Sequence, residues 1–201
     1  LIDIKPGERI LEIGCGWGGF MEYAISKGYE VTGITISDEQ YKYTKKRIEN
    51  LSSTSTVQLI DYRRLSGKFD AIVSIEMFEA VGKEYWNDYF LKIRKLLKPN
   101  KKAIIQTITI DDKYFDMYLN SVDFIQSYIF PGGLMASDKI INKLANISKL
   151  SVIDKKSFAK DYAKTLEIWN KSFQTNWDSI KMQGFNEKFK KLWMFYLNYC
   201  K

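Results

Sequence analysis

From Glu8 onward, short β-rich apolar runs alternate with stretches of helical period, and no other feature narrows the possible folds as far. Arg9–Ile13, Glu30–Ile36, Val57–Ile60 and Phe69–Ile75 read as strands. Phe20 to Lys27 is helical, and Ser37 followed three residues on by Gln40 forms a capping box that opens a helix from about Asp38 to Leu51. Trp86 to Leu97 reads as the next helix, stopped by Pro99-Asn100, and Lys102 to Ile110 as a fifth strand. Strand and helix in regular succession build βαβ units, so the expected fold is α/β, a doubly wound, Rossmann-like parallel sheet. The rhythm then breaks into an aromatic-rich insertion, about 111–136. Ser137 caps a helix to about Asn146, and Leu150-Ser151-Val152-Ile153 is expected as a sixth strand. Spacings of three and four among Leu166, Trp169, Phe173, Trp177 and Ile180, and again from Phe185 to Tyr199, predict two C-terminal amphipathic helices.

Gly14-Cys15-Gly16-Trp17-Gly18-Gly19 falls at the turn between the first strand and the first helix, where missing side chains let a ligand reach the backbone. The spacing is G-x-G-x-G, not the G-x-G-x-x-G of dinucleotide sites, and no P-loop lysine follows. Neither a pyrophosphate nor a triphosphate suits it, whereas S-adenosylmethionine does, with Glu12 placed to fix the amino-acid end of that cofactor. The glycines alone read equally well as a tight strand-to-helix connection.

The chain has no histidine, so it cannot supply a Ser-His-Asp or Cys-His triad or a His-ligated zinc or haem, and no metal site is expected. Cys15 and Cys200 stand far apart without metal-ligand spacing, which points to a reducing, cytoplasmic setting. With 201 residues, 45% of them hydrophobic, one domain is expected, and no apolar run approaches the roughly 20 residues of a membrane span. Opening at Leu1 almost directly into a strand reads as a fragment of a longer chain. The net charge of +7 is placed unevenly: residues 1–136 hold 18 basic and 18 acidic side chains, residues 137–201 hold 13 and 6. A basic face attracts nucleic acid or anionic headgroups, but lysine-rich helices are more often merely solvated.

Several motifs together resemble the cyclopropane-fatty-acyl-phospholipid synthases and related mycolic-acid methyltransferases. They are Leu11 to Gly19, Gly33 to Gln40, Ser74 to Gly82 (Ser-Ile-Glu-Met-Phe-Glu-Ala-Val-Gly), Tyr128 to Gly133 and Asp161 to Leu166. The resemblance implies a methyltransferase domain over 1–201 whose sheet ends short of its last strand. It also implies a cofactor site in which Gly14 and Gly16 line the methionine moiety, Thr35, Ile36 and Gln40 meet the ribose, and Asp61 and Tyr62 flank the adenine. Ile75 belongs to the same set.

The implied reaction transfers the methyl carbon of S-adenosylmethionine to a cis double bond of a phospholipid acyl chain and closes a cyclopropane. Attack by the alkene leaves a carbocation that must lose a proton. In the family a bound bicarbonate takes it, held by a glutamate, a histidine, a tyrosine and an upstream cysteine segment. Here Glu79 and Tyr162 match the glutamate and tyrosine, but Gln106 stands in place of the histidine, leaving the base open. Phe78, Tyr128 and Phe130 read as rings facing the cation, as acyl-chain packing or as core. The implied partner is unsaturated phospholipid at the inner face of the membrane, with a homodimer left open and nucleic acid not expected. Competing readings are a methylene- or methyl-branched product and a non-catalytic lipid-binding module. A nucleic-acid methyltransferase is suggested only by charge, and the Asn/Asp-Pro-Pro-aromatic motif of amino-directed DNA enzymes is missing.

Overall fold

The computed structural model describes residues 4–201. Its described residues fall into two compact units, one of residues up to 122 with 132–152 and one of residues 123–131 with 153–201.

The first unit is built on β1 (Arg9–Ile13), α1 (Gly19–Ser26), β2 (Glu30–Thr35), α2 (Asp38–Ile48), β3 (Thr56–Leu59), β4 (Phe69–Ile75), α3 (Trp86–Leu96) and β5 (Leu97–Gln106). The five strands pair in the order β3-β2-β1-β4-β5, all parallel. Strands covered on both faces read as continuous apolar runs, with alternate residues feeding opposite cores. Leu11, Ile13, Ile34 and Ile72 enter one core, which also holds Tyr89, Phe90 and Ile93 of α3. Ile10, Val31, Ala71 and Val73 enter the other, with Met21 and Ile25 of α1. Strand order reverses between β1 and β4, so a crevice opens beyond their carboxyl ends.

Local chemistry moved several boundaries. The helix α2 begins where expected, with Ser37 Oγ accepting from the Gln40 N–H at 3.3 Å, but the reciprocal half of the box is not made. Gln40 Oε1 instead accepts from Thr35 Oγ1 at 2.8 Å, and the Ser37 N–H donates to Thr35 Oγ1 at 3.1 Å. The fifth strand starts at Leu97 rather than Lys102, because Pro99-Asn100 lies inside it: the register jumps from Phe69↔Leu97 to Ala71↔Lys102, and Asn100 takes φ 60°. An outer strand of the sheet tolerates proline at such an irregularity.

The insertion is not all loop. Beyond β5 run β6 (Thr109–Ile110), α4 (Phe115–Leu119), α5 (Phe124–Tyr128), β7 (Ala136–Ser137) and α6 (Asp138–Ile147), with β6 and β7 pairing as a separate two-stranded ladder. Seven strands are therefore present among the described residues, five in the central sheet. The strand expected at 150–153 is absent: Val152 is 47% and Ile153 70% exposed, and no ladder partner offsets their freedom.

The second unit holds α5 with α7 (Ala159–Thr175), α8 (Trp177–Lys181) and α9 (Glu187–Tyr199). The first of the two expected C-terminal helices is broken at Asn176. Leu166, Tyr196 and Leu197 form its core, with Tyr162 and Trp193 packed against them.

Candidate active site

The candidate residues of the first unit gather at the strands' carboxyl ends: Glu12, Thr35, Ile75 and Gln106 are the last or next-to-last residues of β1, β2, β4 and β5, and the others follow the strands. After β1 the chain turns sharply: the Gly14 and Cys15 N–H groups donate to the Ile34 carbonyl at 3.0 and 2.9 Å, which folds the turn over β2. Gly14 and Gly16 take φ 80° and 52°, where a side chain is strained. A Cβ at Gly14 would sit 2.8 Å from Met77 Cγ, whereas one at Gly16 would meet nothing within 4 Å. One glycine is required by the protein and the other leaves open space for a ligand. Thr44 of α2 fixes the turn by donating to the Gly16 carbonyl at 2.9 Å.

At the end of β2, Thr35 is buried and its hydroxyl is committed on both sides, so Gln40 is the residue there with amide protons to spare. Ile36 is 78% exposed. Beyond β3, Asp61 accepts from the Arg63 N–H at 2.8 Å and pairs with its guanidinium at 2.6 Å, which holds the Asp61 carboxyl below its ordinary range. Tyr62 is placed in the core, edge-on to Tyr89 at 5.6 Å, and not on an open rim.

Glu12, in β1, is only 3% exposed, and its Oε2 has no hydrogen-bond partner among the described residues. Burial raises its carboxyl to about 8, and burial with the nearby Glu12 pushes the Cys15 thiol up to about 12. An unpartnered buried carboxylate calls for a cation or a donor. The folded state binds a proton that the unfolded chain releases near the ordinary glutamate range, so stability is complete at low pH and falls as pH rises towards 8. Glu12→Gln should flatten this profile. Thermal melts of the ligand-free protein from pH 5 to 9 check it, and a wild-type melting temperature unchanged across that range would refute it.

Beyond β4, Glu79 Oε1 accepts from Thr107 Oγ1 at 2.9 Å and from the Ile108 N–H at 2.5 Å, while its Oε2 is buried without a partner among the described residues. The Leu134 N–H donates to the Glu79 carbonyl at 2.9 Å, so the returning end of the insertion pins this turn. Gln106 does not bond Glu79. Its Nε2 donates to Glu76 Oε1 at 2.9 Å, and its carbonyl accepts from the Glu76 N–H at 2.9 Å. Ile75 is half-buried at the strand's end. Phe78 resolves as core, packed between Trp86, Tyr89 and Phe90.

The fold thus brings Glu12, Gly14, Gly16, Thr35, Ile36, Gln40, Asp61, Ile75, Glu79 and Gln106 to one edge. Tyr162 belongs to the second unit, on α7, as do the exposed rings of Tyr128 and Phe130. Sequence reasoning missed Glu76, Thr107 and the Ile108 N–H. A backbone donor leaves no signature, but a carboxylate directly after an apolar central strand could have flagged Glu76.

The family model described as mycolic acid cyclopropane synthetase matches residues 1–201. Cyclopropane-fatty-acyl-phospholipid synthase of Escherichia coli is 39% identical over 202 residues, 99% of this chain and 50% of that protein. Tuberculostearic acid methyltransferase of Mycobacterium tuberculosis is 34% identical over 199 residues, 98% of this chain and 47% of that protein. The chain therefore spans about half the length of these relatives. Among solved structures, a mycolic acid cyclopropane synthase complexed with S-adenosylhomocysteine superposes with TM-score 0.87 at 30% identity, covering 99% of this chain and 74% of that one. A cyclopropane synthase of Mycobacterium tuberculosis gives the same TM-score at 27% identity, with the same coverage.

Proposed function

This chain belongs to the mycolic acid cyclopropane synthetase family, and from that premise we propose that it binds S-adenosylmethionine and carries the cofactor's methyl carbon to a cis double bond of a phospholipid acyl chain, closing a cyclopropane. The observation that carries this reading is the pair of unpartnered buried carboxylate oxygens, on Glu12 and Glu79, at the glycine-lined edge of the sheet. The residues suit the cofactor: Glu12 offers its free oxygen to an ammonium group, Gly16 leaves room for the ligand, and Gln40 has amide protons for ribose oxygens. Bound, the cofactor supplies an electrophilic methyl group on a sulfonium sulfur.

The protein's part is then electrostatic. Thr107 and the Ile108 N–H hold Glu79 through one oxygen, so the other is fixed in place to stabilise positive charge developing on the alkene. Such preorganised charge, out of water, acts without reorganising as the reaction proceeds.

The excess of basic residues over 137–201 supports docking at an anionic membrane surface on the cytoplasmic side. No helix among the described residues is long and apolar enough to cross a membrane. Vesicles of unsaturated phospholipid should trigger release of S-adenosylhomocysteine from the full-length protein, and vesicles of saturated phospholipid should not. Equal release with both would overturn the proposed substrate.

A further inference from the structure

Glu76 is one of three non-glycine residues among those described with a positive φ, 50°, directly after the last residue of the central strand β4. A side chain in this region carries strain, and strained positions concentrate where a site needs a group that an unstrained backbone would not deliver. Glycine would relieve the strain, yet a carboxylate stands here. Its environment is built: Gln106 donates to Oε1 at 2.9 Å through its side chain and receives the Glu76 N–H through its carbonyl, while Oε2 accepts no hydrogen bond among the described residues. The neighbouring Met77 side chain lies against Gly14, so the segment also meets the glycine turn. Partial burial and the charge of Glu79 raise the Glu76 carboxyl above its ordinary range, against the opposing effect of Gln106.

We propose that Glu76 is the catalytic base of the reaction, held by Gln106 so that its free oxygen meets the reacting carbon. The inference rests on the function proposed above. A carbocation adjacent to the transferred methyl must lose a proton, and no histidine is available in this chain to take it or to hold an anion that would. Glu76 adds a second carboxylate beside Glu79 at this edge, and that added charge opposes entry of a further anion such as bicarbonate. In the step proposed, a C–H bond of the transferred methyl breaks, its proton passes to Glu76 Oε2, and its electron pair forms the C–C bond that closes the ring. The protonated Glu76, an exposed residue, then returns its proton to solvent. Glu79 supplies fixed charge and Glu76 moves the proton, two carboxylates with roles set by their surroundings.

The test uses full-length wild-type protein, Glu76→Gly and Glu76→Gln in bicarbonate-depleted buffer with unsaturated phospholipid vesicles, beside cofactor titrations and thermal melts of the ligand-free proteins. Wild-type turnover should not respond to bicarbonate. Both variants should lose about a hundredfold or more in turnover with cofactor affinity unchanged. Added formate should restore much of the loss in Glu76→Gly, where the vacated side chain leaves room for a small base. The same variant should melt no lower than wild type, and up to about 2–4 °C higher as strain is released. Native turnover in either variant, a Glu76→Gly deficit that formate leaves untouched, or wild-type activity that vanishes without bicarbonate would each overturn the assignment while methyl transfer stands. Absence of methyl transfer by the wild type would overturn the proposed function and this inference with it.

Discussion

Gly14→Val should abolish S-adenosylmethionine binding. The position takes φ 80°, and the first atom of any side chain would approach Met77 Cγ to 2.8 Å and Met77 Cβ to 3.0 Å. Met77 Cβ sits close to the backbone and cannot swing away, so the turn itself must move. A β-branched residue at positive φ adds a cost of order 1–3 kcal/mol. The hydrogen bonds from Gly14 and Cys15 to the Ile34 carbonyl would be strained, and with them the space beside Gly16. The sheet should survive, since its cores lie on the two faces and not at this edge. Calorimetric titration should show affinity reduced by at least about a hundredfold, roughly 2.7 kcal/mol, with circular dichroism close to native. Unchanged affinity would refute the assignment of the turn to the cofactor.

Glu79→Gln should separate binding from turnover. The amide oxygen can still accept from Thr107 Oγ1 and the Ile108 N–H, so the local structure should hold, but the buried oxygen that lacks a partner is replaced by an uncharged donor. What disappears is negative charge fixed beside the developing cation. Losses of about 10²–10³ in turnover are typical when one preorganised electrostatic group is removed, and cofactor affinity should stay near native. Substrate titration of the variant should give a reduced kcat with little change in KM. Native turnover would place Glu79 outside the reacting centre.

How much of this was legible in the sequence follows from the physics of each element. The strands β1, β2 and β4 are covered on both faces, so they print as apolar runs, and Ser37 announced the start of α2 through its hydroxyl. The strand β5 was misplaced because Pro99-Asn100 looks like a terminator, when an outer strand can carry both residues at an irregularity. Val152-Ile153 has strand propensity but found no neighbour, and propensity does not create a pairing partner. At the candidate site, the glycine turn was legible from residue type and spacing, and Glu79 only through the resemblance of its motif to the family. Tyr62 was not, since a tyrosine after a strand looks the same whether it stacks on a ligand or, as here, fills the core against Tyr89. Glu76 escaped because a left-handed residue disturbs neither helical nor strand periodicity, and its partner Gln106 lies 30 residues on.

The most direct measurement follows the carbon itself. The full-length protein is incubated with S-adenosylmethionine carrying a ¹³C methyl group and vesicles of cis-unsaturated phospholipid, and the recovered lipid is examined by NMR and mass spectrometry. The account predicts one labelled carbon per modified chain, present as the ring methylene of a cyclopropane at the position of the former double bond, and a product that disappears with Glu79→Gln. Lipid recovered without label would contradict it.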